Sequence, residues 1–291
     1  MSDPAEPSDP SVSERISGAL DRVTGAERRV ADVVLTDPEV IAFGTVAEVA
    51  RSARTSGATV VRAAAKLGYD GFPALQAAVR AELSRRLRPA TERIREPDAD
   101  DIVGLTLRIS LDAVEASVRQ IDRTVFAGVT RLLATRGRAV RIICGDESDG
   151  VGLLFATRLS MLRDGISTIG GSPVATGRQV ASVSNTDVIV AIDLRRYDRW
   201  LLDALDDALE RGATVIALTD SPISPLADRA EFVFVVAADG PRPFDSYVGA
   251  LAVLDAVASG VAQRLKAAAA EHLDRIEASW QRSGALTDGT N

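Results

Sequence analysis

Hydroxyls and cations recur at helical spacing in Ser56-Gly-Ala-Thr-Val-Val-Arg-Ala-Ala-Ala-Lys-Leu-Gly68. Thr55, Ser56, Ala58, Thr59, Arg62 and Lys66 together offer hydroxyls, methyls, a guanidinium and an ammonium. That is the chemistry of a nucleic-acid groove. A guanidinium takes a guanine edge or a phosphate, a threonine gives a hydroxyl or methyl contact, and a helix N-terminus holds a phosphate. A second set falls in Gly145-Asp-Glu-Ser-Asp-Gly150, Asp193-Leu-Arg-Arg-Tyr-Asp198 and Thr219-Asp-Ser-Pro-Ile-Ser-Pro225. Within these stretches, Gly145, Ser148, Asp193, Arg195, Arg196, Thr219 and Ser221 combine small residues, hydroxyls and a guanidinium pair, which suits a small anion. Solvent exposure or ion pairs between subunits would equally explain Arg195 and Arg196. A single Cys144 and a lone His272 give neither a disulfide nor a metal cluster. No catalytic set and no cofactor are expected.

The first set needs two short helices joined by a tight turn. Thr45 followed by Glu48 is a capping box, so a helix begins at Val46, with Val49 and Ala50 on its apolar face. Arg54-Thr55-Ser56-Gly57 forms the turn. Ser56 caps a second helix that buries Val60, Ala64 and Leu67, with Ala58, Thr59, Arg62 and Lys66 facing outward or flanking that face. Gly68 ends it, where a positive φ is cheap only for glycine. This is a helix-turn-helix, whose second helix enters the major groove in DNA-binding proteins. A packed helical hairpin with no such role fits the same pattern.

Short helices surround it. Val12, Ile16, Leu20 and Val23 mark one, Thr24-Gly-Ala-Glu27 caps another, Asp37-Pro38 opens a third and Pro73 starts one that runs to about Arg88. After 102 two long helices are expected, the first with Ile102, Leu105, Ile109 and Val118 on its apolar face. The period then shortens. Val140–Cys144, Ile166–Ile169, Val188–Ile192, Thr214–Leu218 and Phe232–Val236 are β-branched runs. Helical segments at 150–163, 176–183, 197–211 and 222–228 separate them. Such alternation predicts an α/β unit with a doubly wound, mainly parallel five-stranded sheet after an all-α helix-turn-helix domain. Ligands of such sheets sit beyond the carboxyl ends of the strands, where the second set lies. The expected division is a disordered tail at 1–10, a helical domain at 11–90, a linker at 91–101, the α/β domain at 102–270 and a helix end and tail at 271–291.

The chain of 291 residues carries a net charge of −7. Residues 44–88 hold eight basic and three acidic side chains, a local +5 that leaves −12 for the rest. A basic module on an acidic body fits a protein of which one domain meets phosphate. The acidic, proline-rich start is unlike a signal peptide. The apolar stretch 248–261 is interrupted by Asp255 and reads as a buried or interface helix, so no membrane partner is expected and the location is cytoplasmic.

Residues 13–90 resemble the N-terminal domain of the RpiR-type regulators. Thr24-x-x-Glu27, Asp37-Pro38-Glu39 and Val46-Ala-Glu-Val-Ala50 carry the likeness, and above all Ser56-x-Ala-Thr-Val-Val-Arg62 running on to Lys66-Leu-Gly-Tyr-Asp-Gly-Phe72. Residues 100–265 are similar to the sugar isomerase (SIS) domain that follows in those regulators. The matching pieces are Val140–Gly145 with Ser148, Thr186–Ile192, Arg211–Thr219 and Ser224–Ala227. The resemblance implies a homodimeric or homotetrameric transcription factor that binds an inverted-repeat operator in double-stranded DNA and senses a sugar phosphate or related anionic metabolite. It places groove contacts at Ser56, Ala58, Thr59 and Arg62 and the first ligand-loop serine at Ser148. The family's serine-rich loop, however, is replaced here by Asp193–Asp198, whose arginines would have to stand in for its hydroxyls while Asp193 opposes an anion. Two other readings remain at this stage: a sugar-phosphate isomerase, and a DNA-binding protein whose α/β domain only dimerises.

Overall fold

A computed structural model describes residues 12–19, 22–87, 90–95, 99–222 and 224–286. The expected tail at 1–10, Leu20 of the first helix, Arg88 and residues 287–291 lie outside the described residues, as do the side chains of Arg85 and Arg86. The chain forms two compact units that divide between residues 89 and 90.

The first unit is helical: α1 (Val12–Ala19), α2 (Gly25–Thr36), α3 (Pro38–Phe43), α4 (Val46–Ser52), α5 (Gly57–Lys66) and α6 (Gly71–Leu87). Side chains fix where these helices start. Both capping boxes form, with Glu27 accepting from Thr24 N and Glu48 from Thr45 N, each at 2.7 Å. Asp37 caps α3 and Ser56 caps α5. Gly68 stops α5 at φ +87°. In the turn between α4 and α5 it is Arg54 that takes a positive φ of +48°. Arg29 of α2 clamps that turn by donating to the Ala53 and Arg54 carbonyls. Val30, Ile41, Val49, Val60, Ala63, Ala64 and Leu75 are fully buried among these helices. The buried face of α5 is therefore wider than Val60, Ala64 and Leu67 and takes in Thr59 and Ala63.

The second unit opens with the helical turn α7 (Ala90–Arg93), then α8 (Ile102–Arg119) and α9 (Arg123–Ala134). The stretch expected as a free linker is thus tied down at its start, because Arg93 Nη1 lies 2.6 Å from Asp245 Oδ1. The sheet consists of β1 (Val140–Cys144), β2 (Ile166–Ile169), β3 (Val188–Ile192), β4 (Thr214–Thr219) and β5 (Phe232–Val235). All pairings are parallel and the order is β2-β1-β3-β4-β5. Helices α10 (Asp149–Leu162), α11 (Pro173–Ala181), α12 (Arg199–Glu210), α13 (Val248–Leu265) and α14 (Ala267–Ser283) complete it. β3 is buried along its whole length, as a central strand covered on both faces must be.

Three expectations change. The helix expected over 176–183 begins at Pro173, because Ser172 caps it and proline is preorganised for a first helical turn. The segment 222–228 yields only the 3₁₀ turn Ala227–Arg229. On α8, Ile102 and Val118 are exposed, and the buried residues are the small Ala113 and Ser117. They are small because α13 crosses there: a Cβ on Gly249 would collide with Ser117 Oγ. α13 is the one described helix long and apolar enough to cross a membrane, yet Val253, Leu254, Val257 and Val261 are core residues of this unit.

Candidate functional site

The helical unit presents α5 by fixing its neighbours. Glu27 is buried within the cap of α2, and its Oε2 also accepts from Lys66 Nζ at 2.7 Å. Its other oxygen stands 4.0 Å from Arg62 Nε. The bond from Lys66, with those from Thr24, pulls the Glu27 carboxyl down to about 2. Arg62 Nη2 donates to Thr59 Oγ1 at 3.1 Å, and that hydroxyl also meets Ser56 Oγ at 3.0 Å. The Arg62 side chain remains 64 % exposed. Ala58 is exposed, Ser56 is exposed at the cap and Thr55 is half-buried.

One of the expected contacts is therefore corrected. Thr59 is buried, 6 % exposed, and its hydroxyl orients Arg62 and the cap instead of facing outward. Lys66 pairs with Glu27 while its side chain stays 39 % exposed. Glu27 was legible in the sequence only as a helix cap. Its partner lies 39 residues on, beyond the reach of any spacing rule.

In the α/β unit, strand order sets the second site. β1 and β3 are neighbours although β2 comes between them in the chain, so connections leave in opposite directions at this point and open a crevice beyond the strand ends. The loops after β1, β3 and β4 meet there. Gly145 N donates to Ile192 O, Asp146 N to Asp198 Oδ2, and Arg195 N to Asp220 Oδ1. A Cβ on Gly145 would run into the Asp193 carboxylate, so glycine is required at that approach. Ser148 is fully buried, and its hydroxyl donates to Tyr247 Oη at 3.1 Å. Thr219 Oγ1 reaches Tyr197 Oη at 3.5 Å, and Ser221 is buried.

The arginine pair does not form a common fork. Arg195, at φ +62°, is almost wholly buried and paired with Asp239 at 2.5 Å and Asp245 at 3.4 Å. Arg196 is exposed to solvent. Asp193 braces the loop, accepting from Leu194 N at 2.9 Å and Asp198 N at 2.8 Å. Its burial, with Asp198 and Asp220 nearby, raises its carboxyl to about 7 against those two bonds. Burial likewise pushes the Cys144 thiol up to about 12, which makes it inert near neutrality. Tyr197 belongs to the loop already singled out, but Arg93, Asp239, Asp245 and Tyr247 joined this site unannounced. They come from distant loops, and no local pattern marked them.

A pH dependence follows from Asp193. Its folded value lies above the unfolded one, so between about pH 4 and 7 the folded chain keeps a proton that the unfolded chain releases, and stability falls as pH rises. A shift of that size is worth up to about 4 kcal/mol. The melting temperature of the α/β unit is expected to drop from pH 5 to pH 8, and the drop should shrink in Asp193→Asn. A drop of equal size in the variant would show that Asp193 does not cause it. Glu27 acts in the opposite sense, losing its contribution only as pH falls from about 4.5 towards 2, below the pH 5 to 8 range of this test.

The comparisons with known proteins agree with both halves. The model of the rpiR-family helix-turn-helix domain matches residues 11–86 and that of the SIS domain matches residues 132–260. The HTH-type transcriptional regulator HexR of Pseudomonas aeruginosa is 28 % identical, over 91 % of this chain and 94 % of its own. The bifunctional protein glk of Paraburkholderia xenovorans is 29 % identical, but this chain spans only 46 % of it. The Vibrio vulnificus NanR protein, solved with ManNAc-6P, shares the fold at a TM-score of 0.56 and 22 % identity, covering 94 % of this chain and 98 % of its own. The chain belongs to the rpiR family of helix-turn-helix transcriptional regulators, in which a SIS domain follows the DNA-binding unit.

Proposed function

We propose that the chain acts in the cytoplasm as a homodimer that reads an inverted-repeat operator with α5 and responds to a small anionic metabolite at the mouth of its SIS domain. The observation that carries this reading is the pairing of two different sites in one chain. Arg62 stands exposed but braced at the start of α5, and a buried arginine, Arg195, stands beyond the sheet's carboxyl edge. On α5, Ser56, Ala58 and Arg62 meet the groove, with Thr55 beside them, while Thr59 and Lys66 hold the helix in place. The metabolite class, a sugar phosphate or another oxyanion, is suggested by the ligand named for NanR. A ligand that prefers one arrangement of the dimer changes operator affinity by its difference in affinity for the two states.

The isomerase reading needs a base free to move a proton between carbons. Asp193 is the one described carboxyl of the mouth raised towards neutrality, and both its oxygens are engaged by backbone N–H groups. We infer a regulator without catalysis.

An exposed apolar stripe on α8 supports the dimer: Val103, Leu107 and Leu111, spaced by four, are 77, 60 and 60 % exposed. Leu107→Asp with Leu111→Asp should leave the monomer folded, because both side chains lie in solvent. Sedimentation is expected to show a monomer, and affinity for a two-site duplex should fall at least tenfold. An unchanged dimer would place the interface elsewhere.

A further inference from the structure

Two guanidiniums, one half-buried and one buried, share one carboxylate at the edge of the SIS-domain mouth. Arg93 Nη1 lies 2.6 Å from Asp245 Oδ1, and Arg195 Nε lies 3.4 Å from the same oxygen. The Arg93 side chain is 16 % exposed, and those of Arg195 and Asp245 are each 8 % exposed. Both arginines have a buried Nε–H without a hydrogen-bond acceptor. Buried donors are nearly always satisfied; Arg195 Nε has only the long contact to Asp245, and Arg93 Nε has no acceptor at all, which indicates a missing one beside the two guanidiniums. The remaining partner of Arg195 is Asp239, whose side chain is 85 % exposed. Such a pair is held weakly, because water competes for the carboxylate.

We propose that Arg93 and Arg195 form a two-arginine seat for an oxyanion, phosphate or carboxylate, with Asp245 as the fixed post between them and Asp239 as the placeholder the anion displaces. The planar guanidinium fork suits either oxyanion: Arg93 supplies its unpartnered Nε–H, and Arg195 supplies the Nη2–H that Asp239 gives up. Arg93 gives the seat a second role. It is the fourth residue of the α/β unit and ends α7, the turn that follows directly on the boundary with the DNA-binding unit. An anion that draws Arg93 away from Asp245 shifts the segment that follows directly on the boundary with the DNA-binding unit, so the site that senses the metabolite also holds the start of the connecting segment. This rests on the anionic-effector reading.

The test uses the full-length protein, with inorganic phosphate and succinate as probes at ionic strength matched with chloride, since DNA binding is itself salt-dependent. At tenfold over its dissociation constant a probe is expected to raise the melting temperature of the wild type by about 3–6 °C. Arg93→Gln should abolish that rise. Arg93→Lys keeps the charge and the pairing with Asp245 but lacks the Nε–H, so it should cut the rise while leaving the unliganded protein folded. The effective probe should also change operator affinity of the wild type several-fold and leave that of Arg93→Gln unmoved. Equal stabilisation of wild type and both variants would overturn the role of Arg93 and leave the anionic-effector reading standing. Stabilisation without any change in operator affinity would overturn the link to the connecting segment. No stabilisation of the wild type by either probe would overturn the seat, and the anionic-effector reading with it.

Discussion

Arg62→Ala is expected to weaken operator binding by about 1–3 kcal/mol, roughly 5- to 150-fold. The size follows from how the side chain is held. Thr59 Oγ1 accepts from its Nη2 and Glu27 faces its Nε, so much of the ordering entropy is spent before DNA arrives. Lys66 takes the nearer oxygen of Glu27 at 2.7 Å, which leaves Arg62 the less neutralised of the two cations. If Arg62 reads a base edge, the loss falls on one operator position. If it grips a phosphate, the loss is uniform across sequences and the salt slope becomes shallower by about one. Titrating Arg62→Ala against an operator and its single-position variants at two salt concentrations separates these outcomes. Unchanged affinity throughout would remove Arg62 from the interface.

The second large effect concerns the support of the sheet. Arg163 is 7 % exposed and serves as a clasp for carbonyls. Its Nη1 donates to Leu133 O at 2.6 Å and Thr135 O at 2.8 Å, its Nε to Asp164 O at 2.9 Å, and its Nη2 to Arg138 O. The carbonyls of Leu133, Thr135 and Arg138 end α9 and lead into β1, and that of Asp164 precedes β2, so the one side chain fixes how the first strand enters the sheet. Arg163→Met fills a similar volume and leaves the acceptors without a donor, at about 1–3 kcal/mol for each one that stays dry. A total of about 3 kcal/mol corresponds to a melting temperature lower by roughly 6–12 °C in a unit of this size. Calorimetry of the full chain should show that shift in the α/β transition alone. A drop in the helical unit's transition instead would mean that the two units do not melt independently.

What the sequence disclosed and what it hid divide by range. Capping boxes act over three residues and β-branched runs over five, so α2, α4, α5 and the five strands were readable at once. The same local reading mistook Thr59. Taking Val60, Ala64 and Leu67 as the whole inner face left Thr59 outside, whereas the buried stripe of α5 also runs through Thr59 and Ala63, four apart. Polarity was a poor guide there, because a buried hydroxyl costs little once Ser56 and Arg62 satisfy it. The mouth was legible as a place, since parallel strands deliver their following loops to one edge. Its charge balance was not. Arg195 and Arg196 are neighbours in the chain, yet Arg195 answers to Asp239 and Asp245 more than forty residues away while Arg196 faces water. Arg93 lay in a stretch with no apolar period and was read as linker, and only the fold shows it docked on Asp245.

The most direct test of a sequence-reading regulator is selection of duplexes from a random pool by the full-length protein at ~150 mM salt, where binding through phosphates alone is weak. Enrichment of an inverted repeat with half-sites about one helical turn apart is the predicted result, and Arg62→Ala should lose or alter that repeat. A folded protein that enriches no sequence, with or without the phosphate and succinate probes, would contradict DNA reading by α5.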